Sequence, residues 1–399
     1  MKKIIILILS IGISFSTLAQ KKELKKAEKL VKSFKTGAAF NALNEQKDAV
    51  VGTEYESYYY FLRGKNFFGK SNKNNFDKAV KEFYHVLAIE VKSGQDDYSD
   101  KAISYINIIN DSYFSEITKA LAKTNYIEAG KVYEKYYKTV PERRDVLRMV
   151  LYCYQNAKDN DKIAEVLHQL LKLDTGDMSY NATNKHTKRV DEFFKKESRD
   201  LAVKRKTHEK PDDLKIETKT RVDYYNSLVR IYHQKGDSEK TLEVLSNAKK
   251  EFPAKVKFFE DYAAVVYGTG DKEVYLKSLE EVFALDASNR DLWFNYGVIS
   301  QDLGKKEKAI EAYDKAIEID PEYRGAYINK ALLILADERD LINELNENLR
   351  NKKKYNEIDA KIKEMYSRAI PAFEKANELK PDEGIKATLE NLYKSLEKK

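Results

Sequence analysis

The sequence predicts an all-α protein, a solenoid of stacked helix hairpins, and three observations predict this fold class. Pro253, Ala287 and Pro321 recur at a spacing of 34 residues. Between them, apolar residues recur every three or four positions, which forms one apolar stripe along a helix. The composition includes only 6 prolines and 15 glycines in 399 residues. Few positions therefore interrupt helices, and residues that favour long helices are abundant.

The segment from Arg290 to Pro321 carries the most complete repeat and reads RDLWFNYGVISQDLGKKEKAIEAYDKAIEIDP. With Arg290 as position 1, positions 4, 7, 8, 20, 24, 27 and 32 are occupied by Trp293, Tyr296, Gly297, Ala309, Tyr313, Ala316 and Pro321. This pattern resembles the tetratricopeptide repeat at almost every marked position. The resemblance implies a right-handed superhelical solenoid of helix-turn-helix repeats, each burying its apolar face by stacking on its neighbours. It also implies a binding surface rather than a catalytic pocket.

Related spacing extends the repeats over most of the chain. Pro141 and Thr175 are again 34 residues apart. We expect N-terminal tetratricopeptide-like repeats over 20–175 and C-terminal repeats over 220–399. The C-terminal block has a helix-rich insertion at 336–363, which we expect to form two elongated, protruding helices, and it ends in a capping helix.

A basic insertion at 176–219 interrupts the period. From Lys185 to Lys210 it has ten basic and five acidic residues. The insertion is predicted to be partly helical, with a helix from about Lys188 to Arg205 and polar, mobile flanks. The residues expected to be buried on that helix are Val190, Phe193, Phe194 and Leu201. Two interpretations remain open, a solvated insertion and a contact arm for an acidic surface.

The first residues, 1–19, have the pattern of an export signal. Lys2 and Lys3 precede an apolar run from Ile4 to Ile13, and small residues favour cleavage after Ala19. Cleavage would lower the formal net charge from +7 to +5. The run is too short to span a bilayer core of about 30 Å, so no membrane span is expected. The cleavage junction resembles those of Bacteroidota secretory proteins, and we expect a periplasmic protein, with secretion or peripheral envelope association left open.

No motif for catalysis, cofactor binding or metal binding is present. The chain lacks a Gly-rich phosphate loop, a Gly-x-Ser-x-Gly elbow and paired cysteines. Its five histidines have no ligand spacing, and its single cysteine, Cys153, lies in an apolar helical stretch. We therefore expect no enzyme activity, no cofactor and no metal. Nucleic-acid binding is also not expected, because acidic and basic residues are interspersed throughout.

In the resembling family, certain polar positions on the first helix of each repeat line a concave groove. Carried over to this sequence, the candidate partner-binding residues are Asn226, Arg230, His233, Glu260, Asp261, Asn295 and Asn329. Asn295 and Asn329 both fall at position 6, where an amide could hydrogen-bond an extended peptide. Ordinary surface polarity is the alternative interpretation. The family's clamp for a terminal carboxylate is not reproduced, because position 5 carries Phe294 and Ile328.

The sequence thus favours a non-catalytic scaffold or adaptor in the bacterial envelope that binds a protein or peptide through the concave groove. A glycan- or nutrient-binding component of an outer-membrane uptake system is the alternative, because such uptake proteins also contain these repeats. The partner's identity and the oligomeric state are left open.

Overall fold

The computed structural model describes residues 19–173, 178–215 and 218–397. The export signal predicted at 1–19 lies, except for Ala19, outside the described residues. Contacts divide the chain into two compact units, Met1–Ile231 and Tyr232–Lys399. Each unit is described by itself below.

Unit 1 is mainly a succession of helices in which each helix packs on the next along the chain. Its helices are α1 (19–32), α2 (Thr36–Val50), α3 (Glu56–Phe68), α4 (Phe76–Ser93), α5 (Ser99–Ala122), α6 (Tyr126–Thr139), α7 (Arg144–Ala157) and α8 (Asn160–Leu173), with a short 3-10 helix at Lys73–Asn75. Helix α10 (Thr218–Gln234) follows the insertion and carries the boundary between the units.

Close approach of paired helices explains the small residues in the repeat pattern. A Cβ atom built on Gly64 of α3 would lie 2.5 Å from Cε1 of Phe83 on α4. Phe83 is completely buried, so its ring has no free space to occupy instead. Gly130 of α6 meets Tyr154 of α7 in the same way, with a built Cβ 2.9 Å from Cε1. A small residue on one helix and an aromatic ring on the other are therefore one packing unit.

The insertion of unit 1 folds as a three-stranded antiparallel sheet with one helix. Strands β1 (Met178–Asn184), β2 (Val190–Phe193) and β3 (His208–Lys215) are ordered β2-β1-β3, and helix α9 (Lys196–Lys204) connects β2 to β3. Tyr180 pairs with Phe193, and Asn184 pairs with His208. The register between β1 and β3 shifts near Pro211, which is tolerated because β3 is an edge strand.

The predicted helix from Lys188 to Arg205 is therefore wrong in its first part, and the flanks expected to be mobile form β1 and β3. In β2, burial alternates with period 2, so Asp191 and Phe193 are buried while Val190 is 62% exposed. Phe194 and Leu201 are half-buried. The helical interpretation failed because the buried positions include a carboxylate, which an apolar pattern does not reveal.

Unit 2 continues the helical succession. Its further helices are α11 (Ser238–Glu251), α12 (Val256–Thr269), α13 (Lys272–Phe283), α14 (Arg290–Asp302), α15 (Lys306–Ile319), α16 (Arg324–Ile334), α17 (Glu338–Glu347), α18 (Lys352–Leu379) and α19 (Glu383–Glu397), with a short 3-10 helix at Leu335–Asp337.

Helices α14 and α15 coincide with the repeat at Arg290–Pro321. Asn289 caps α14, since its side chain accepts hydrogen bonds from the first-turn backbone. The ring of Trp293 stacks on Phe283 at 3.7 Å between centroids, and its Nε1 donates to the backbone oxygen of Ala287 at 2.9 Å. The tryptophan therefore ties α14 to the preceding helix and to the connection between them.

The helix-rich insertion at 336–363 differs from the expected pair of elongated helices. Only the second helix is elongated, since α18 has 28 residues. The first is divided into α16 and α17 by the 3-10 helix. The connection before α18 ends at Asn351, whose side chain caps the helix by accepting from the backbone of Lys354. The capping helix α19 buries Ile385, Leu389 and Leu392, as its apolar register predicts.

Candidate binding site in unit 1

A buried ion-pair network fastens the insertion to the helices of unit 1. Arg143, the N-cap residue immediately before α7, pairs through Nη1 with Asp191 of β2. Its Nε and Nη2 donate to the two carboxylate oxygens of Asp145 at 2.7 and 2.6 Å. Burial opposes the positive charge of Arg143, but Asp145 and Asp191 outweigh that effect and raise its pKa. Arg143 therefore stays charged, and it links the hairpins to the sheet.

Asp191 is the centre of this network. It is only 3% exposed, and the same carboxylate oxygen also contacts His208 Nε2 at 2.8 Å and accepts from Asn184 Nδ2 at 3.0 Å. The three strands thus each contribute one residue to it. A buried carboxylate is tolerable only when such partners surround it.

Glu192 makes a second attachment, facing α7. Its carboxylate pairs with Arg148 at 2.9 Å and with Arg144 at 3.5 Å, and it accepts from Ser179 Oγ at 2.6 Å. The backbone joins as well, since Phe194 N–H donates to the Glu142 carbonyl at 3.1 Å. The insertion is therefore a packed part of unit 1 rather than a loose arm.

Between the insertion and the hairpins lies a cavity of about 580 Å³, which we call the insertion cleft. Its walls come from α4, from the end of α6 with the connection to α7, and from β2, α9 and the start of β3. Its lining residues include Lys78, Lys81, Tyr84, Lys138, Arg143, Phe193, Ser198, Arg205 and His208. This volume lies within the range of ordinary ligand pockets.

Positive charge predominates in the insertion cleft. The lining contains five Lys or Arg side chains and two carboxylates, Asp77 and Glu142. Arg143 is already neutralised by its two aspartates. Among the described residues, Lys81 and Lys138 have no ion-pair partner, and both are exposed. The cleft therefore presents more cationic groups than its two carboxylates neutralise.

Arg205 is the cation with the least satisfied environment. Its guanidinium carbon lies 5.1 Å from the centroid of the Tyr84 ring, and its Nε is buried without a hydrogen-bond partner among the described residues. Burial lowers the pKa of Arg205, and Tyr84 and Glu142 only partly oppose this effect. Burial likewise raises the pKa of the Tyr84 phenol. Arg205 and Tyr84 therefore place a cation and an aromatic ring side by side in the wall of the cleft, where the cation can receive an anion.

The residues predicted from the family groove lie elsewhere. Asn226 and Arg230 are exposed on α10 in unit 1. In unit 2, His233 and Asn295 are exposed, and Glu260, Asp261 and Asn329 are half-buried. Asp261 pairs with Lys257 one turn earlier. None of the seven lines the insertion cleft, and their role in binding stays a prediction.

Two of these residues lie beside buried tyrosines of unit 2. Burial is the main cause of the raised pKa values of Tyr275 and Tyr313, and Asn295 and Asn329, respectively, act in the opposite direction. Each of these asparagines therefore lies beside a tyrosine of the preceding helix.

Sequence reasoning did not identify the insertion cleft. The basic excess of the insertion was visible, and it includes Arg205, but Lys78 and Lys81 on α4 resembled an ordinary solvated helix face. Across the described residues, no cluster of three or more His, Cys, Asp or Glu side chains could hold a metal ion. Nor does any described helix have the length and apolar character needed to cross a membrane.

Comparison with known proteins identifies one repeat directly. Residues 291–323 match the tetratricopeptide repeat family model, which is the α14–α15 hairpin. Together with the succession of helix pairs, this match confirms the predicted all-α fold class with tetratricopeptide-type hairpins. No curated protein matches the sequence.

Several solved structures have low similarity to the chain. A MamA structure is 16% identical, covering 61% of this chain and 94% of its own, with a TM-score of 0.31. A TPR repeats protein from Bacteroides fragilis is 16% identical, covering 71% and 97%, with a TM-score of 0.26. The TPR2AB-domain:pHSP90 complex of yeast Sti1 is 16% identical, covering 72% and 98%, with a TM-score of 0.24. At these scores, nothing about function is transferred from those proteins.

Proposed function

We propose that this protein is a non-catalytic interaction scaffold or adaptor that binds a segment of a protein partner in the insertion cleft. The observation that carries the proposal is the ordered insertion, which is held on the hairpins by Arg143 and Asp191 and leaves a cavity beside them. Repeated helix hairpins provide a rigid support, and binding residues placed on such a support need little ordering when a partner arrives.

The insertion cleft is a better candidate binding site than the family groove. It combines an excess of cations over carboxylates with the rings of Tyr84 and Phe193. Arginine and aromatic side chains are enriched in sites that recognise another protein. In unit 2, by contrast, Asn295 and Asn329 lie beside buried tyrosines of their own fold.

Site-specific photocrosslinking in the native cell tests the proposal. A photoreactive amino acid replaces Lys138 at the rim of the cleft or, as a control, Lys47, an exposed lysine of α2 that does not line it. We expect one reproducible protein adduct from position 138 and none of that adduct from position 47. Identical adducts at both positions, or none at position 138, would contradict binding in the cleft.

The export signal supports action in the bacterial envelope, and this location is part of the proposal. The mature protein is expected to begin at Gln20, after cleavage behind Ala19. Cell fractionation with N-terminal sequencing checks both points. If the protein is found in the cytoplasm and retains Met1–Ala19, the envelope location is wrong. The scaffold role is tested separately, by the crosslinking experiment.

Binding of a soluble oligosaccharide is a second candidate function, favoured by a neighbouring cavity of about 440 Å³. Its lining includes Asn107, Asn110 and Thr207, which present neutral hydrogen-bonding groups. Asn110 Oδ1 is buried and lacks a partner among the described residues. Calorimetric titration with soluble oligosaccharides checks this candidate. Saturable binding that is lost in Asn110→Ala would favour it, and no binding of any tested sugar would contradict it.

A further inference from the structure

We propose that the insertion cleft recognises an acidic peptide segment, and that Arg205 is the anchor that pairs with one of its carboxylates. This inference rests on the proposed function and specifies the chemistry of the partner. The unpartnered Nε of Arg205 and the unpaired lysines around it are the observations that point to an anion.

Arg205 is placed so that an incoming carboxylate would complete its environment. A guanidinium presents donors in a planar fork that matches the two oxygens of a carboxylate. In Arg205, the donor Nε–H has no acceptor among the described residues. The guanidinium carbon lies 5.1 Å from the centroid of the Tyr84 ring. Arg205 is half-buried and lines the cleft, and burial already disfavours its charge, so an anion that reaches the guanidinium gains more than it would from a fully exposed arginine.

The lysines of the cleft serve a different purpose from the anchor. Lys78, Lys81 and Lys138 are exposed, so each is screened by water and salt and contributes little as a single pair. As a group they create a positive potential that attracts an acidic chain and speeds its association. Binding should therefore weaken with salt, while loss of the anchor should mainly accelerate dissociation.

The cleft fits an acidic peptide better than a continuous polyanion. Asp77 and Glu142 are part of the lining, and they would repel a nucleic-acid backbone with a charge at every phosphate. A peptide can place carboxylates opposite the cations and other residues opposite the carboxylates. Phe193 also lies in the lining, where it can contact an apolar side chain next to the acidic one. We therefore expect glutamate or aspartate interleaved with apolar residues.

Fluorescence anisotropy with the full mature chain tests the assignment. The probe is a fluorescein-labelled peptide of alternating glutamate and leucine, compared with the same peptide carrying glutamine. We expect saturable binding of the glutamate peptide only, weakened by added salt. Arg205→Gln should reduce affinity at least about tenfold, whereas Lys204→Gln, which removes an exposed charge outside the cleft, should change it less than about twofold.

Two further variants separate recognition from folding. Arg205→Lys keeps the charge but loses the planar fork, so it should restore only part of the affinity. The double variant Lys81→Gln with Lys138→Gln should lower the affinity, because it removes two cations of the cleft. It should leave the thermal unfolding midpoint unchanged, because both side chains are exposed. Unaltered binding in Arg205→Gln or in the double lysine variant would overturn the proposal, as would equal binding of the glutamine peptide.

A phosphoserine version of the peptide, inorganic phosphate and anionic lipid vesicles serve as competitors. Tighter binding of any of them through Arg205 would overturn the assignment to a carboxylate. If a crosslinker at Lys138 traps a protein but the glutamate peptide does not bind, the anion assignment alone fails. If neither occurs, the proposed function of the cleft fails with it.

Discussion

Replacement of Asp191 with asparagine should loosen the insertion from the hairpins of unit 1. The substitution keeps the shape of the side chain but removes its charge. In the wild type, Arg143, His208 and Asn184 converge on one carboxylate oxygen. An amide oxygen carries no full charge, so the contact with Arg143 would lose its ionic part and an amide N–H would take the place of one acceptor oxygen.

The expected cost follows from these contacts. Removing one member of a buried ion pair costs about 3–5 kcal/mol, because the remaining charge is left uncompensated. Arg143 keeps its two hydrogen bonds to Asp145, so we expect the lower end, about 3 kcal/mol. That amount corresponds to roughly a hundredfold increase in the population of the locally open insertion.

Hydrogen exchange followed by mass spectrometry measures this opening. Amides of β1 and β2 should exchange about a hundredfold faster in Asp191→Asn, while those of α14 should be unchanged. Asp200→Asn is the control, since Asp200 is exposed and its partner Arg199 also pairs with Asp213 at 2.7 Å. We expect the control substitution to lower the free energy of opening the insertion by less than about 1 kcal/mol. An Asp191→Asn effect as small as that would refute the view that this network holds the insertion in place.

Three other predictions concern packing and protonation. Gly297→Ala should lower the free energy of unfolding by about 1–3 kcal/mol in denaturant titrations, because its Cβ would lie 2.6 Å from Cε1 of the buried Tyr313. Its control is Gly268→Ala, where the Cβ meets open space in α12 and the substitution should instead stabilise the fold by about 0.5–1 kcal/mol. Cys153 is completely buried, and burial raises the pKa of its thiol to about 11, so iodoacetamide at pH 8 should label it only after denaturation. Burial lowers the pKa of His85 below its ordinary 6.5, so an NMR titration of its ring should give a midpoint below 6.5. Because the unfolded chain then binds this proton more readily, stability should fall as the pH drops through 6.5.

Each of these predictions has an outcome that contradicts it. A neutral Gly297→Ala variant would mean that α14 and α15 can separate freely. Rapid alkylation of the native protein would show that Cys153 is reached by solvent through frequent opening. A His85 midpoint at or above 6.5, assigned by its loss in His85→Gln, would mean that nearby carboxylates such as Glu82 outweigh burial.

The repeats could be predicted because their determinants are local. Trp293, Gly297 and Tyr313 lie within one 34-residue period, and the contacts that they make are with adjacent helices. A pattern of spacing and residue size therefore contains the information needed for the hairpin. The same holds for α19, whose three buried residues follow the helical period.

The insertion could not be predicted in this way, because its buried contacts are ion pairs between residues that are far apart in the sequence. Asp191 forms a buried ion pair with Arg143, which is 48 residues away in sequence. No local periodicity indicates such a pair. The insertion cleft depends on the same docking, since Lys81 of α4 and Arg205 line one cavity only when the sheet packs on the hairpins. The groove prediction at Asn295 and Asn329 came from family positions and did not include the buried tyrosines that lie beside these amides.

The Nε–H resonance of Arg205 provides the most direct test of acidic-peptide recognition. It can be followed in ¹H–¹⁵N NMR spectra of arginine-labelled protein and assigned by its loss in Arg205→Gln. When the glutamate peptide is added, the signal should move downfield, because a donor that has no acceptor among the described residues gains a carboxylate. An Arg205 signal that stays unchanged at saturating peptide would contradict the central claim that this arginine anchors an acidic partner.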